Sequence, residues 1–132
     1  MKNLLTVTAI IEFGTGLVMV AFPSLLIGLL LGSPINTPVE YTLARVAGVA
    51  ILSLALACWL ARNDGKSSVA KGLVSAMVLY NTAIVLVLVY AALGLALSCF
   101  GLWLVVLLHT AMAIWCIAGL LKLVLTNRVS GE

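Results

Sequence analysis

The chain has 132 residues, of which 64% are hydrophobic and 8% charged, with seven Lys/Arg against four Asp/Glu and a formal net charge of +3; its mean hydropathy is +1.30. A soluble domain carries about a quarter of its residues charged, so this composition excludes a water-soluble globule, a disordered chain, a charged coiled coil and a basic nucleic-acid-binding protein. At about 20 residues per crossing, the length predicts one all-α integral membrane domain over residues 1–132, a transmembrane four-helix bundle.

The first span is expected over residues 4–22, but the apolar run continues to Leu31, further than one crossing needs. Pro23 divides it. Proline suits the first turn of a helix and breaks an interior, so two readings stand. In one, the span ends at Phe22 and a short interfacial helix covers Leu25 to Leu31; in the other, a single kinked helix crosses at a tilt. Lys2 ahead of an apolar stretch is also the opening of a secretory signal, against which stand Glu12 inside the stretch and the lack of a small-x-small cleavage site.

The second span is expected over residues 41–61, opened by Thr37-Pro38 and closed by Arg62-Asn63-Asp64-Gly65. From Gly72 to Leu121 no residue carries a formal charge. As one helix that run would measure about 75 Å, against a hydrocarbon core of about 30 Å, so it must fold back. Gly94, Ser98, Cys99 and Gly101 interrupt the aliphatic residues and mark the turn, giving a third span over residues 71–93 and a fourth over 100–122.

Basic residues set the orientation. With the N-terminus inside, Lys2, Arg62, Lys66, Lys71, Lys122 and Arg128 all fall on the cytoplasmic side, and Arg45 alone lies within a span. Both termini are therefore expected in the cytoplasm, with the protein multi-pass in the inner (cytoplasmic) membrane. Trp59 and Trp115 then belong to the inner interface and Trp103 to the outer one. Cys58 and Cys116 fall in the inner half and Cys99 at the outer end, too far apart for a bridge, and all three read as small packing residues.

Soluble-type catalysis has no signature here: the chain lacks CxxC, HExxH, GxSxG and a glycine-rich phosphate loop, so neither an enzyme nor a cofactor is predicted. One histidine and one intramembrane carboxylate are too few for a closed metal site. What remains is a set of polar side chains that lipid should exclude, since a charge at the bilayer centre costs about 2.5 to 3.5 kcal/mol on insertion scales. Counted along helices at about 1.5 Å per residue, Glu12, Asn81 and His109 reach the middle of the first, third and fourth spans. Arg45 enters the second from its outer edge, with a side chain long enough to reach inward or to snorkel out.

One interior site of Glu12, Arg45, Asn81 and His109 is thus expected. Thr8, Thr15 and Gly16 share the Glu12 face, while Met112, Ala113 and Cys116 share that of His109. Gly14, Gly16, Ala44 and Gly48 would let the first two spans approach closely, with Ser53, Ala57 and Ala61 continuing that seam inward. As a lock, Glu12 pairs with Arg45, and Asn81 with His109, fixing one helix arrangement. As a functional site, the cluster holds the head of a lipid-like or amphipathic small molecule, with Leu and Val around its tail. A structural or accessory role would instead need a membrane protein partner; the lipid bilayer is the partner in every case.

The run of Glu12, Thr15-Gly16 and Pro23, then Leu31-Gly32, Arg45-Val46-Ala47-Gly48 and Trp59-Leu60 resembles the small bacterial four-span membrane proteins of the DoxX-like group. That resemblance implies a four-helix bundle of the cytoplasmic membrane; some relatives are associated with quinone-linked redox complexes, and no residue here carries such chemistry over. Ala9-Ile10-Ile11-Glu12-Phe13-Gly14-Thr15 is similar to the first span of small multidrug resistance transporters. The likeness implies Glu12 as the residue coupling protons to a cationic drug, whereas Arg45, His109, the later spans and the strong inside bias of Lys/Arg depart from that family.

Overall fold

The computed structural model describes residues 1–65, 67–97 and 99–130, with side chains given through 125. Five helices follow one another: α1 (Lys2–Ala21), α2 (Pro23–Leu31), α3 (Pro38–Ala61), α4 (Ser68–Gly94) and α5 (Phe100–Ser130). No strand occurs among the described residues. Four helices, α1, α3, α4 and the Phe100–Leu125 part of α5, are long and apolar enough to cross a membrane.

Local chemistry accounts for the breaks. Pro23 starts α2 at its first turn, after α1 closes with the Phe22 N–H on Val18 O at 2.7 Å, so the interruption wins over one kinked helix. Gly32, at φ 69°, ends α2 in the left-handed conformation that glycine adopts without a Cβ penalty. Helix α3 begins earlier than expected, at Pro38, because Thr37 and Glu40 form a capping box. The Thr37 hydroxyl accepts from the Glu40 N–H, and the Glu40 carboxylate accepts from the N–H groups of Thr37 and Asn36, both at 2.8 Å. The Ser67 hydroxyl likewise accepts from the Ala70 N–H at 3.1 Å, which moves the start of α4 to Ser68. Helix α5 runs to Ser130, beyond the expected end at 122, since no Gly or Pro stops it there. The turn between α4 and α5 falls where the glycines mark it; Ser98 lies outside the described residues.

The helices pack as two pairs. Helices α1 and α3 meet at Gly16 and Gly48. A Cβ built on Gly16 would stand 2.9 Å from Gly48 O, and one on Gly48 3.0 Å from Gly16 O, so the two backbones touch directly. Gly14, expected in this seam, has nothing within 4 Å because it sits on the outer side of α1. Of Ser53, Ala57 and Ala61, expected to continue the seam, Ala61 packs against the core and Ala57 is half-buried. Ala55 and Cys58, about two and three turns on from Gly48, are the buried residues, while Ser53 is exposed and turns its hydroxyl back to Val49 O at 2.9 Å.

Helices α4 and α5 form the second pair, and α2 folds onto the start of α5, where a side chain on Gly101 would collide with Leu29 O. Leu4, Leu5, Ala9, Cys58, Val74, Met77, Met112 and Cys116 build a core to which all four long helices contribute. A second core, of Ala92, Leu102 and Val106 with Leu31 packed against it, joins α2 to α4 and α5 at the other end. Cys58, Cys99 and Cys116 are free thiols. Met1 abuts Gly65 and Gly119 faces Leu4, so Lys2, Arg62 and Lys122 belong to one end of the bundle, and Lys71, beside Leu120, joins them. Lys66 and the side chain of Arg128 lie outside the described residues.

Candidate functional site

Glu12, Asn81 and His109 come together, and Tyr80 connects them. All are mid-helix residues, one turn from the apolar core: Glu12 follows Thr8 and Ala9 on the buried face of α1, Asn81 follows Met77, and His109 precedes Met112. The Tyr80 hydroxyl donates to Glu12 Oε2 at 3.3 Å, and its ring meets the His109 imidazole edge-on, 5.8 Å between centroids at 74°. Asn81 Nδ2 donates to Met77 O at 2.7 Å, and Asn81 Oδ1 lies 2.8 Å from His109 Nδ1.

These two Asn81 bonds assign a tautomer. Met77 O can only accept, so the amide nitrogen must face it and the amide oxygen must face His109. An amide oxygen has no proton to give, hence His109 Nδ1 is the donor. In the neutral ring Nε2 then keeps its lone pair, with no protein partner among the described residues. Glu12 is 4% exposed, and among the described residues no cationic side chain bonds to it. The centre of the bundle thus presents a buried carboxyl group, Glu12, and an imidazole nitrogen acceptor, His109 Nε2, on either side of one tyrosine.

Arg45 is not part of this site. It is exposed, and its Nε donates to Val20 O at 3.3 Å, eight residues along α1 from Glu12 and so about 12 Å away along the axis. The expected Glu12–Arg45 pair does not form, because the free carbonyls at the end of α1 offer Arg45 acceptors near the membrane edge, where its charge need not be buried. The expected Asn81–His109 pair does form. Tyr80 is the residue that reading the sequence misses; its signal was a tyrosine in the middle of a span, away from the interfaces where tyrosines normally sit.

Thr8, one turn below Glu12 on the same face, is 1% exposed and its hydroxyl has no hydrogen-bond partner. Beside the cluster, Tyr80 also lines a groove of about 400 Å³ between α3 and α4, formed otherwise by Ala50, Ile51, Ser53, Leu54 and Ala57. The groove exists because α3 and α4, although consecutive, barely pack on each other. Of the cluster, Tyr80 is the member that lines it. No group of three or more His, Cys, Asp or Glu able to hold a metal occurs among the described residues.

No curated protein and no solved structure matches the chain. A family model described as a domain of unknown function, DUF8292, matches residues 6–132. With nearly its whole length so matched, the chain belongs to that family.

Proposed function

We propose that this protein is a multi-pass protein of the cytoplasmic membrane, both termini inside, that binds an amphipathic small molecule through its mid-membrane acceptors. The observation that carries this reading is Tyr80, which forms part of the wall of the α3–α4 groove and places its hydroxyl on Glu12. A molecule lying in the groove has apolar walls for its tail and the Glu12 carboxylate and His109 Nε2 for its head. His109 Nε2 accepts, and so does Glu12 once ionised, so the head that fits both is a donor: an amine or a hydroxyl. The arginine that would have neutralised Glu12 is occupied at Val20, which leaves the carboxylate for a ligand.

Orientation and membrane rest on the basic residues gathered at one end, Lys2, Arg62, Lys71 and Lys122, by the rule that such residues face the cytoplasm. The DoxX-like resemblance adds the four-span architecture and no chemistry. The reading assigns no catalysis and no cofactor.

A photoactivatable long-chain amine and the matching long-chain carboxylic acid, each added to the detergent-solubilised protein, test it. The amine should label α3 between Ala50 and Ala57, and Glu12→Gln should reduce labelling about tenfold, while the acid labels that stretch weakly in both proteins. Equal labelling by the two probes, unchanged in Glu12→Gln, would overturn this reading and assign the cluster to holding the helices together beside a membrane protein partner.

The absence of a cationic partner on Glu12 among the described residues also favours a second reading, exchange of protons for a cationic amphiphile at the same carboxylate. Proton release on adding the amine, lost in Glu12→Gln, distinguishes exchange from simple binding.

A further inference from the structure

We propose that a second site, the groove between α1 and α3, holds an acyl chain of an anionic phospholipid whose phosphate rests on Arg62. The groove encloses about 550 Å³ and is apolar throughout. Its cause is side-chain size: Ala9 and Ala55 are too short to fill the space between the helices, while Ile10, Phe13, Leu56 and Trp59 stand out as its rims. It is distinct from the groove beside Tyr80, since Ala55, Leu56 and Trp59 occupy one face of α3 and Ser53, Leu54 and Ala57 another.

Lipid chains touch any apolar helix face; the charge at the end of this groove is what selects among lipids. Trp59, 43% exposed, lines the groove, and the Arg62 guanidinium stacks on its ring, 3.6 Å from the centroid. Stacking fixes the plane of the guanidinium. One of its N–H groups donates to Trp59 O, leaving the others for an anion. Guanidinium matches phosphate in shape and charge, and it does so best when already oriented. Lys2, at the start of α1, adds a second positive charge at the same end, because Met1 abuts Gly65. A headgroup bearing its own cation meets repulsion there, so the site prefers phosphatidylglycerol to phosphatidylcholine.

The protein in mild detergent, titrated with dioleoyl phosphatidylglycerol or dioleoyl phosphatidylcholine and read by native mass spectrometry, tests this. The expected result is one retained phosphatidylglycerol, held about tenfold more than phosphatidylcholine. Arg62→Gln should remove that preference and leave the weaker retention. Ile10→Trp, at an exposed rim, should lower retention of both lipids about fivefold by filling the groove, whereas Leu86→Trp on the exposed face of α4 should change neither. Equal retention of the two lipids by the unaltered protein, an unchanged preference in Arg62→Gln, or unchanged retention in Ile10→Trp would each overturn the proposal.

Discussion

Asn81 holds His109 by its carbonyl oxygen, 2.8 Å from Nδ1, because its amide nitrogen is committed to Met77 O. Replacing Asn81 with Leu removes the acceptor and leaves the Nδ1–H inside the bundle without a partner. Thermal or denaturant unfolding in detergent should show a loss of about 1–3 kcal/mol, the cost of an unsatisfied buried polar group. Nitrogen NMR of the labelled histidine checks the tautomer directly: protonated Nδ1 and bare Nε2 in the parent protein. A spectrum with the proton on Nε2 would reverse the assignment of acceptor and donor.

The contrast between Gly16 and Gly14 tests the packing of α1 on α3. Gly16→Leu would drive its side chain into Gly48 O and Leu52, and overpacking of this kind costs about 1–3 kcal/mol. Gly14→Ala meets nothing within 4 Å and removes a flexible residue from a helix interior, so it should be neutral or stabilise by up to about 1 kcal/mol. Unfolding curves of the two variants, measured in the same detergent, should separate in opposite directions.

Thr8 offers a test of whether the buried cluster is complete. Its hydroxyl has no partner, so Thr8→Val, nearly equal in shape, relieves an unsatisfied group and should raise stability by about 1 kcal/mol. A lower stability would instead show that the hydroxyl bonds to a buried water or to a bound molecule beside Glu12.

Much of the architecture could be read from local rules. The break at Pro23, the opening at Thr37-Pro38 and the turn between Gly94 and Gly101 each depend on neighbours a few residues away, and each occurs where those residues require it. The extra length of α3 and α4 was less visible, although Thr37, Glu40 and Ser67 carry its cause. Within the site, Glu12, Asn81 and His109 were legible as polar groups at mid-span. Tyr80 was not, because a tyrosine among Leu and Val passes for an ordinary apolar residue until its hydroxyl is seen on a carboxylate.

By itself the sequence determined the number of membrane-length helices, where the chain breaks between them and which polar groups lie near their middles, since hydropathy and breaks act along one dimension. Only the tertiary structure decided which of those groups meet. Contact depends on the rotation of each helix about its own axis, and that rotation follows from the close approach of Gly16 to Gly48 and from the poor packing of α3 on α4. The same rotations send Arg45 to the carbonyl end of α1, bring Tyr80 between Glu12 and His109, and leave a groove between α3 and α4 with Tyr80 in its wall.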